Sequence, residues 1–225
     1  MIVGFIPARI GSKSIPKKCI KELGGKSLIQ WTIDAAQNAN LDRIIVNTDS
    51  EEIGEVVKGA EIMYRPEGLG GDKTSMQELL EAEVPKLDAE IVVLLQPTVP
   101  FRKAKQIRTA VNILSKNDTY DSLITAERVP EKYNPAQVII KTPSGLRMAT
   151  GGQISQRKRR RQEYPEAWIP DGSVYAFRAH NLERGSFYGD KVMIMENEPS
   201  INIDNPEDWE LAEQWILSQK SEKTS

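Results

Sequence analysis

The stretch from Ile2 to Pro7 is an apolar run just long enough for one buried strand, and it stops abruptly at a short basic loop. Arg9, Lys13, Lys17 and Lys18 stand in that loop, with Gly11, Ser12 and Ser14 between them. Fixed cations and free backbone N–H groups beyond the C-terminal end of a buried strand suit a polyphosphate. The opening therefore points to an α/β sheet that carries an anion site at the end of its first strand.

The following pattern supports that architecture. Leu28–Asn38 reads as a helix, with Leu28, Ile29, Ile33 and Ala36 at helical spacing. Arg43–Asn47 is a second strand, and Thr48-Asp49-Ser50 is expected to cap the helix after it. Glu61–Tyr64 is a short third strand. Ser75–Leu87 is a helix opened by Thr74 or Ser75, with Glu78 completing a capping box. Ile91–Leu95 is nearly continuous apolar sequence, as expected of a strand covered on both faces. Lys103–Lys116 is another helix and Leu123–Thr125 another strand. Strands alternating with helices through short links predict a three-layer, doubly wound, mostly parallel sheet. Pro130 to Pro170 breaks the pattern with proline, glycine and charge, and holds one β-like run at Gln137–Lys141; it is expected to be an excursion from the sheet. The chain returns at Ser173–Arg178 and Lys191–Met195. Pro206–Leu217 is the last helix, capped by Asp204 or Asn205, with Glu207 and Asp208 at its positive end. Residues 1–217 are expected to form one domain, and the polar tail 218–225 to fray.

Composition removes several classes of function. The formal net charge is −2, so any basic site is local and the whole surface does not attract nucleic acid. No apolar run approaches a membrane span, and no charged region precedes the first strand as a secretory signal requires. Cys19 is the single cysteine and His180 the single histidine, which excludes internal disulfides and Cys/His zinc clusters. His180 lies in a polar stretch without a serine elbow and is expected at the surface. A cytoplasmic protein using an oxygen-ligated metal fits these bounds.

Two familiar phosphate loops fail on this chain. Gly25-Lys26-Ser27 supplies the end of a P-loop, but Ile20 stands where its first glycine belongs. Gly68 and Gly70 begin a dinucleotide fingerprint that Lys73 ends wrongly. What remains is strand, P-A-R-x-G-S-K-x-x-P-x-K, then G-G-K-S-L and an apolar helix. This resembles the opening of the sugar-nucleotide cytidylyltransferases, which make CMP-activated acidic sugars. The nearest branch is similar to the CMP-sialic acid synthetases, with those for legionaminic and pseudaminic acid. The resemblance implies a nucleotide-diphospho-sugar transferase-like fold, CTP as donor, Mg²⁺ as cofactor and a homodimer joined through the excursion.

It also implies roles for particular residues. Arg9, Ser12, Lys13 and Lys18 fall where the family holds the triphosphate, and Arg9 and Lys18 with Asp204 form the expected catalytic set. Cys19 replaces the asparagine usual after the last lysine. Tyr64-Arg65-Pro66-Glu67-x-Leu69-x-x-Asp72-x-Thr74-Ser75 resembles the segment that holds base and ribose, with Arg65, Thr74 and Ser75 as candidates; Asp72 either joins them or braces its loop. Leu94-Leu95-Gln96-Pro97-Thr98 is similar to the segment whose glutamine touches the sugar, and Arg102 beyond it either binds phosphate or supports the following helix. The basic run Arg157–Arg161 with Gln162 leads into Asp171-Gly172-Ser173-Val174-Tyr175. Arg161, Gln162, Asp171 and Tyr175 thereby become sugar-binding candidates, Asp171 standing where the family has asparagine and able to compensate at the metal. Phe187 and Tyr188 resemble an aromatic pair offered to the neighbouring subunit's sugar. Gln137 is neutral where sialic acid synthetases often have a basic residue, hinting at another sugar. Asn202 and Asp204 occupy the family's metal-binding Asp-x-Asp, facing one side of an extended segment.

The expected partners are CTP and an acidic nine-carbon sugar. The rivals are a synthetase for the eight-carbon acid Kdo, a nucleotide-binding homologue that has lost catalysis, and an RNA-binding protein using Arg157–Arg161. The last would need an RNA-recognition motif that the sequence lacks.

Overall fold

The computed structural model describes residues 1–71, 73–156 and 160–222. Asp72 and the Arg157–Arg159 part of the basic run lie outside the described residues.

The chain begins with β1 (Ile2–Ala8) and a two-residue hairpin, β2 (Glu22–Leu23) and β3 (Lys26–Ser27), leading into α1 (Leu28–Gln37). It continues through β4 (Arg43–Thr48), α2 (Glu51–Val56), β5 (Glu61–Tyr64), α3 (Met76–Glu83), β6 (Ile91–Leu94), α4 (Ala104–Lys116) and β7 (Ser122–Arg128). A small hairpin, β8 (Ile139–Thr142) and β9 (Gly145–Met148), precedes β10 (Trp168–Arg178), β11 (Val192–Glu196) and α5 (Pro206–Glu222). The main sheet has seven strands in the order β11-β7-β10-β6-β1-β4-β5. Pairing is parallel except along β10, which runs antiparallel to both β6 and β7. The expected doubly wound, mostly parallel sheet is therefore present.

Alternation along the strands sets the two cores. Ile6 and Ala8 of β1 face α1 and α4, packing with Ile29, Ile33, Ile107 and Leu114, while Val3 and Phe5 face the other side with Leu79, Leu80 and Phe187. A third cluster joins distant parts of the chain: Ile15 of the first loop and Leu23 meet Ile203, Trp209, Ala212 and Ile216. From β1 the chain winds outward to β4 and β5 and then returns to β6 on the other side. The loops after β1 and β6 diverge, which opens a crevice at the carboxyl end of the sheet.

Several boundaries differ from the sequence-based expectation. The helix predicted to Leu87 ends at Glu83 and continues as a 3₁₀ turn, because Pro85 has no N–H to donate. Thr48, Asp49 and Ser50 do not cap α2 with their side chains. Thr48 Oγ1 instead accepts from Ser50 N–H at 3.2 Å and Asp49 Oδ1 from Ile10 N–H at 3.0 Å, tying the first loop to β4. The strand expected at Ser173 starts at Trp168 and passes Gly172 through a register shift between Pro170 and Tyr175, where Gly172 has φ +76°. The last helix does not fray at Ser218 but runs to Glu222; this stretch holds neither glycine nor proline, and the Ser218 and Ser221 hydroxyls bond back to Trp215 and Leu217 carbonyls.

The G-G-K-S segment is explained without phosphate. Gly24 and Gly25 have φ of +64° and +99°, as a tight two-residue hairpin turn demands. Lys26 pairs with Asp34 and lies over the Trp31 ring. A Cβ on Gly24 would stand 2.6 Å from Ile216 Cδ1. Gly24→Ala should cost about 2 kcal/mol through positive φ and overpacking, lowering Tm by roughly 4–8 °C in a chain of this size, as read by calorimetry.

Candidate active site

The first loop is held at three places. Asp49 takes the Ile10 N–H, Ile15 is buried in the third cluster, and the Ser14 hydroxyl donates to the Asp204 carbonyl. Lys17, at φ 52°, turns outward and pairs with Glu52 of α2. Arg9, Ser12, Lys13 and Lys18 stay on the inner side and line a cavity of about 580 Å³ in the crevice. Lys18 Nζ donates to the Ile203 carbonyl at 2.7 Å and stands 3.8 Å from Asp204 Oδ1.

The same cavity takes in Arg65, Thr74, Ser75, Gln96 and Asp204, so the structure brings together the residues expected to hold triphosphate and nucleoside. Arg65 Nε donates to Asn47 Oδ1 at 2.7 Å. Burial lowers the Arg65 pKa, opposed by the nearby Asp49 carboxylate. Thr74 Oγ1 reaches the Gly68 carbonyl at 3.4 Å, and Gly70 packs so closely on Asp49 that a Cβ would stand 2.9 Å from its Oδ2. Ser75 has a second duty: its hydroxyl and N–H form the capping box of α3 with Glu78, which holds the Glu78 carboxyl below its usual range.

Asp204 is not the helix cap. Asn205 Oδ1 accepts from Asp208 N–H at 2.9 Å, and Asp208 Oδ2 accepts from Asn205 N–H at 3.1 Å, closing the first turn of α5 reciprocally. The Asp204 side chain is left exposed on the cavity wall, with Oδ2 receiving the Asn202 amide at 3.0 Å. Asn202 and Asp204 thus face one side, as alternation requires. Among the described residues no group of three His, Cys, Asp or Glu side chains could hold a metal. One exposed carboxylate beside an amide and a triphosphate-sized cavity nonetheless fits a hard cation that takes one or two carboxylates with phosphate oxygens and water.

The sugar side departs from expectation. Gln96 lines the cavity, but Asp171 does not: it is buried, Oδ1 accepts from Thr125 Oγ1 at 2.5 Å and Ser173 N–H at 2.9 Å, and Oδ2 accepts from Asn197 Nδ2 at 2.6 Å. One oxygen serves the bend in β10 and the other ties it to the segment after β11, so the structure places Asp171 behind the cavity and not in its lining. Arg102 is structural: buried, it bonds Thr32 Oγ1 at 3.0 Å and the Gln96 carbonyl, and burial pulls its pKa down to about 9 against the opposing Asp171 charge. Phe187, expected to reach a neighbouring subunit, is packed within its own chain, tilted over Tyr188 at 4.1 Å and close to Tyr175 and Phe177. Tyr175 is buried in the same aromatic group, which raises its pKa to about 12, and it is not a lining residue. Tyr188 is half-buried beside it. Gln162 is exposed on the short turn Arg161–Glu163, away from the cavity lining, and the Arg161 side chain lies outside the described ones. His180 is at the surface as expected.

Sequence reasoning overlooked Ser14, Asn47 and Asp49. Asn47 carried a usable signal: a polar residue at the carboxyl end of a buried strand.

Cys19 lines the cavity. Burial raises its thiol pKa to about 11, with Lys18 opposing, so the thiol is neutral at physiological pH. Iodoacetamide at pH 8 should therefore label the folded chain roughly 100-fold more slowly than the urea-unfolded chain, whose thiol titrates near the ordinary value; mass spectrometry of quenched samples reads the ratio.

A family model described as cytidylyltransferase matches residues 3–199. The N-acylneuraminate cytidylyltransferase of Escherichia coli O18:K1:H7 is 34% identical over 218 residues, covering 94% of this chain and 51% of that protein. The CMP-N,N'-diacetyllegionaminic acid synthase of Legionella pneumophila is 33% identical over 225 residues, covering 94% of each. The chain spans about half the length of the Escherichia coli relative and nearly all of the Legionella one. Among solved structures, a CMP:2-keto-3-deoxy-manno-octonic acid synthetase complexed with CTP matches with a TM-score of 0.74 at 16% identity, covering 97% of this chain and 99% of that one. The 4-diphosphocytidyl-2C-methyl-D-erythritol synthase of Anaerococcus prevotii matches at 0.66 and 18% identity, covering 96% of each. Those two likenesses establish the shared fold. With the family model spanning most of its length, the chain belongs to the cytidylyltransferase family.

Proposed function

We propose that this protein transfers CMP from CTP to the anomeric hydroxyl of a nine-carbon α-keto acid sugar of the N-acylneuraminate type. The observation that carries the reading is the crevice itself: Arg9, Lys13, Lys18 and Arg65 converge on one cavity with Gln96 and the Asp204 carboxylate. The sugar oxygen would attack the α-phosphorus, losing its proton as the new P–O bond forms, while the bond to the bridging oxygen breaks and pyrophosphate departs. Such chemistry needs positioning and charge neutralisation more than covalent help. Arg9, Ser12, Lys13 and Lys18 would take the triphosphate, Arg65 with Thr74 and Ser75 the nucleoside, and Gln96 the sugar. Mg²⁺, held by Asp204 with the Asn202 amide oxygen, would supply positive charge to the phosphate oxygens.

Two features support a homodimer built through the excursion. Tyr133, Val138, Ile139, Ile140 and Leu146 there are large apolar side chains exposed in the single chain. The excursion also carries Arg161 and Gln162, and a second copy is the natural means of bringing such residues to a sugar bound at Gln96. The lone cysteine and the need for CTP favour the cytoplasm, and among the described residues no helix is long and apolar enough to cross a membrane.

Pyrophosphate release from CTP and Mg²⁺ should occur with one of N-acetylneuraminate, legionaminate or pseudaminate, and Asp204→Ala should slow it by about 100-fold or more, the scale of losing an electrostatic group at the transition state. Release with Kdo alone would move the enzyme to the eight-carbon branch. CTP binding without turnover on any of these acids would favour a homologue without catalysis. Light scattering should report twice the monomer mass.

A further inference from the structure

Arg65 is held in the cavity by a residue outside the motifs read in the sequence, Asn47. Asn47, the penultimate residue of β4, is fully buried. Its side-chain Oδ1 accepts from Arg65 Nε at 2.7 Å and its backbone carbonyl accepts from Arg65 Nη2 at 3.1 Å. Two acceptors on one residue fix the plane of a guanidinium, whereas a single acceptor would let it swing. Backbone pairing of Arg65 N–H to the Thr48 carbonyl at 2.8 Å sets the same position from below.

Which way the Asn47 amide points is itself determined. Its Nδ2 faces Glu83 Oε2 at 3.3 Å. A carboxylate only accepts and a guanidinium only donates, so the amide satisfies both only with NH₂ toward Glu83 and oxygen toward Arg65. Glu83, the last residue of α3, is fully buried, and Lys86 Nζ at 2.8 Å compensates its charge. The opposite end of α3 supplies Ser75 and Met76 to the cavity. Lys86, Glu83, Asn47 and Arg65 therefore form one relay from the surface to the nucleotide pocket. We infer that Asn47, oriented by Glu83, is a positioning residue that presets the Arg65 guanidinium for the nucleotide, an inference resting on the nucleotide-binding role proposed above for Arg65.

A double-mutant cycle on CTP affinity tests it, read by calorimetry so that the identity of the sugar does not matter. Asn47→Leu removes all three side-chain bonds, to Arg65, Glu83 and the Met63 carbonyl, and should weaken CTP by about tenfold, within the range of contact-pair couplings. In the Arg65→Ala background the same substitution should have no further effect. Because Asn47→Leu disturbs a buried site, Glu83→Met serves as a second variant: it replaces the buried carboxylate by an apolar side chain of similar length and leaves the Lys86 ammonium half exposed to water rather than buried without a partner, and it should weaken CTP about threefold, again only when Arg65 is present. Losses that persist without Arg65, or unchanged affinity in both variants, would overturn the inference while leaving the nucleotide reading intact. A wild-type chain that binds no CTP would overturn that reading and the inference with it.

Discussion

The bond from Lys18 Nζ to the Ile203 carbonyl joins positions 185 residues apart and closes one wall of the crevice that the sheet topology opens. On one side of that bond lies the loop after β1, on the other the extended segment before α5. Ile15 and Ile203 bury together beneath it, and the Ser14 hydroxyl adds a second link. Lysine serves this place because a compact ammonium has several donors: one meets the carbonyl, and the charge stays near the Asp204 carboxylate and the cavity. The arrangement places a cation and an anion on the same wall, as a site for a metal-bound polyphosphate needs.

Behind the wall, polar side chains work in fixed pairs. Arg102 holds the Gln96 carbonyl, Asp171 gathers Thr125, Ser173 and Asn197, and Asn47 holds Arg65. Each is buried, so each would destabilise the fold if left unpaired. The charged residues that line the cavity then have their directions set from behind.

The parallel half of the sheet was legible because β1, β4 and β6 are short apolar runs followed by turn and capping residues, and burial on two faces leaves that trace in sequence. The lining of the crevice was legible for the same reason: Arg9, Lys13, Lys18, Arg65 and Gln96 each follow a strand end. The direction of β10 was not, since antiparallel insertion between β6 and β7 has no local sequence cost, and Pro170 with Gly172 disguised its first half. β9 was missed because Gly145–Met148 is too short and exposed to show a pattern. Asp171 became a candidate through the resemblance alone; its donors come from positions 125, 173 and 197, which only folding brings together, so no local pattern could show its pairing. Phe187 misled because its partners Tyr175 and Phe177 lie in a different element.

The most direct measurement is CTP affinity with and without Mg²⁺, by titration calorimetry, for the wild-type chain and Asp204→Ala. Wild type should bind CTP about tenfold or more tightly with Mg²⁺ present, the scale expected when a carboxylate and phosphate oxygens share a hard cation. Asp204→Ala should lose most of that gain while its metal-free affinity is kept or increased, since the removed charge opposes the triphosphate. A Mg²⁺-dependent gain equally large in both proteins would contradict the account and place the metal elsewhere.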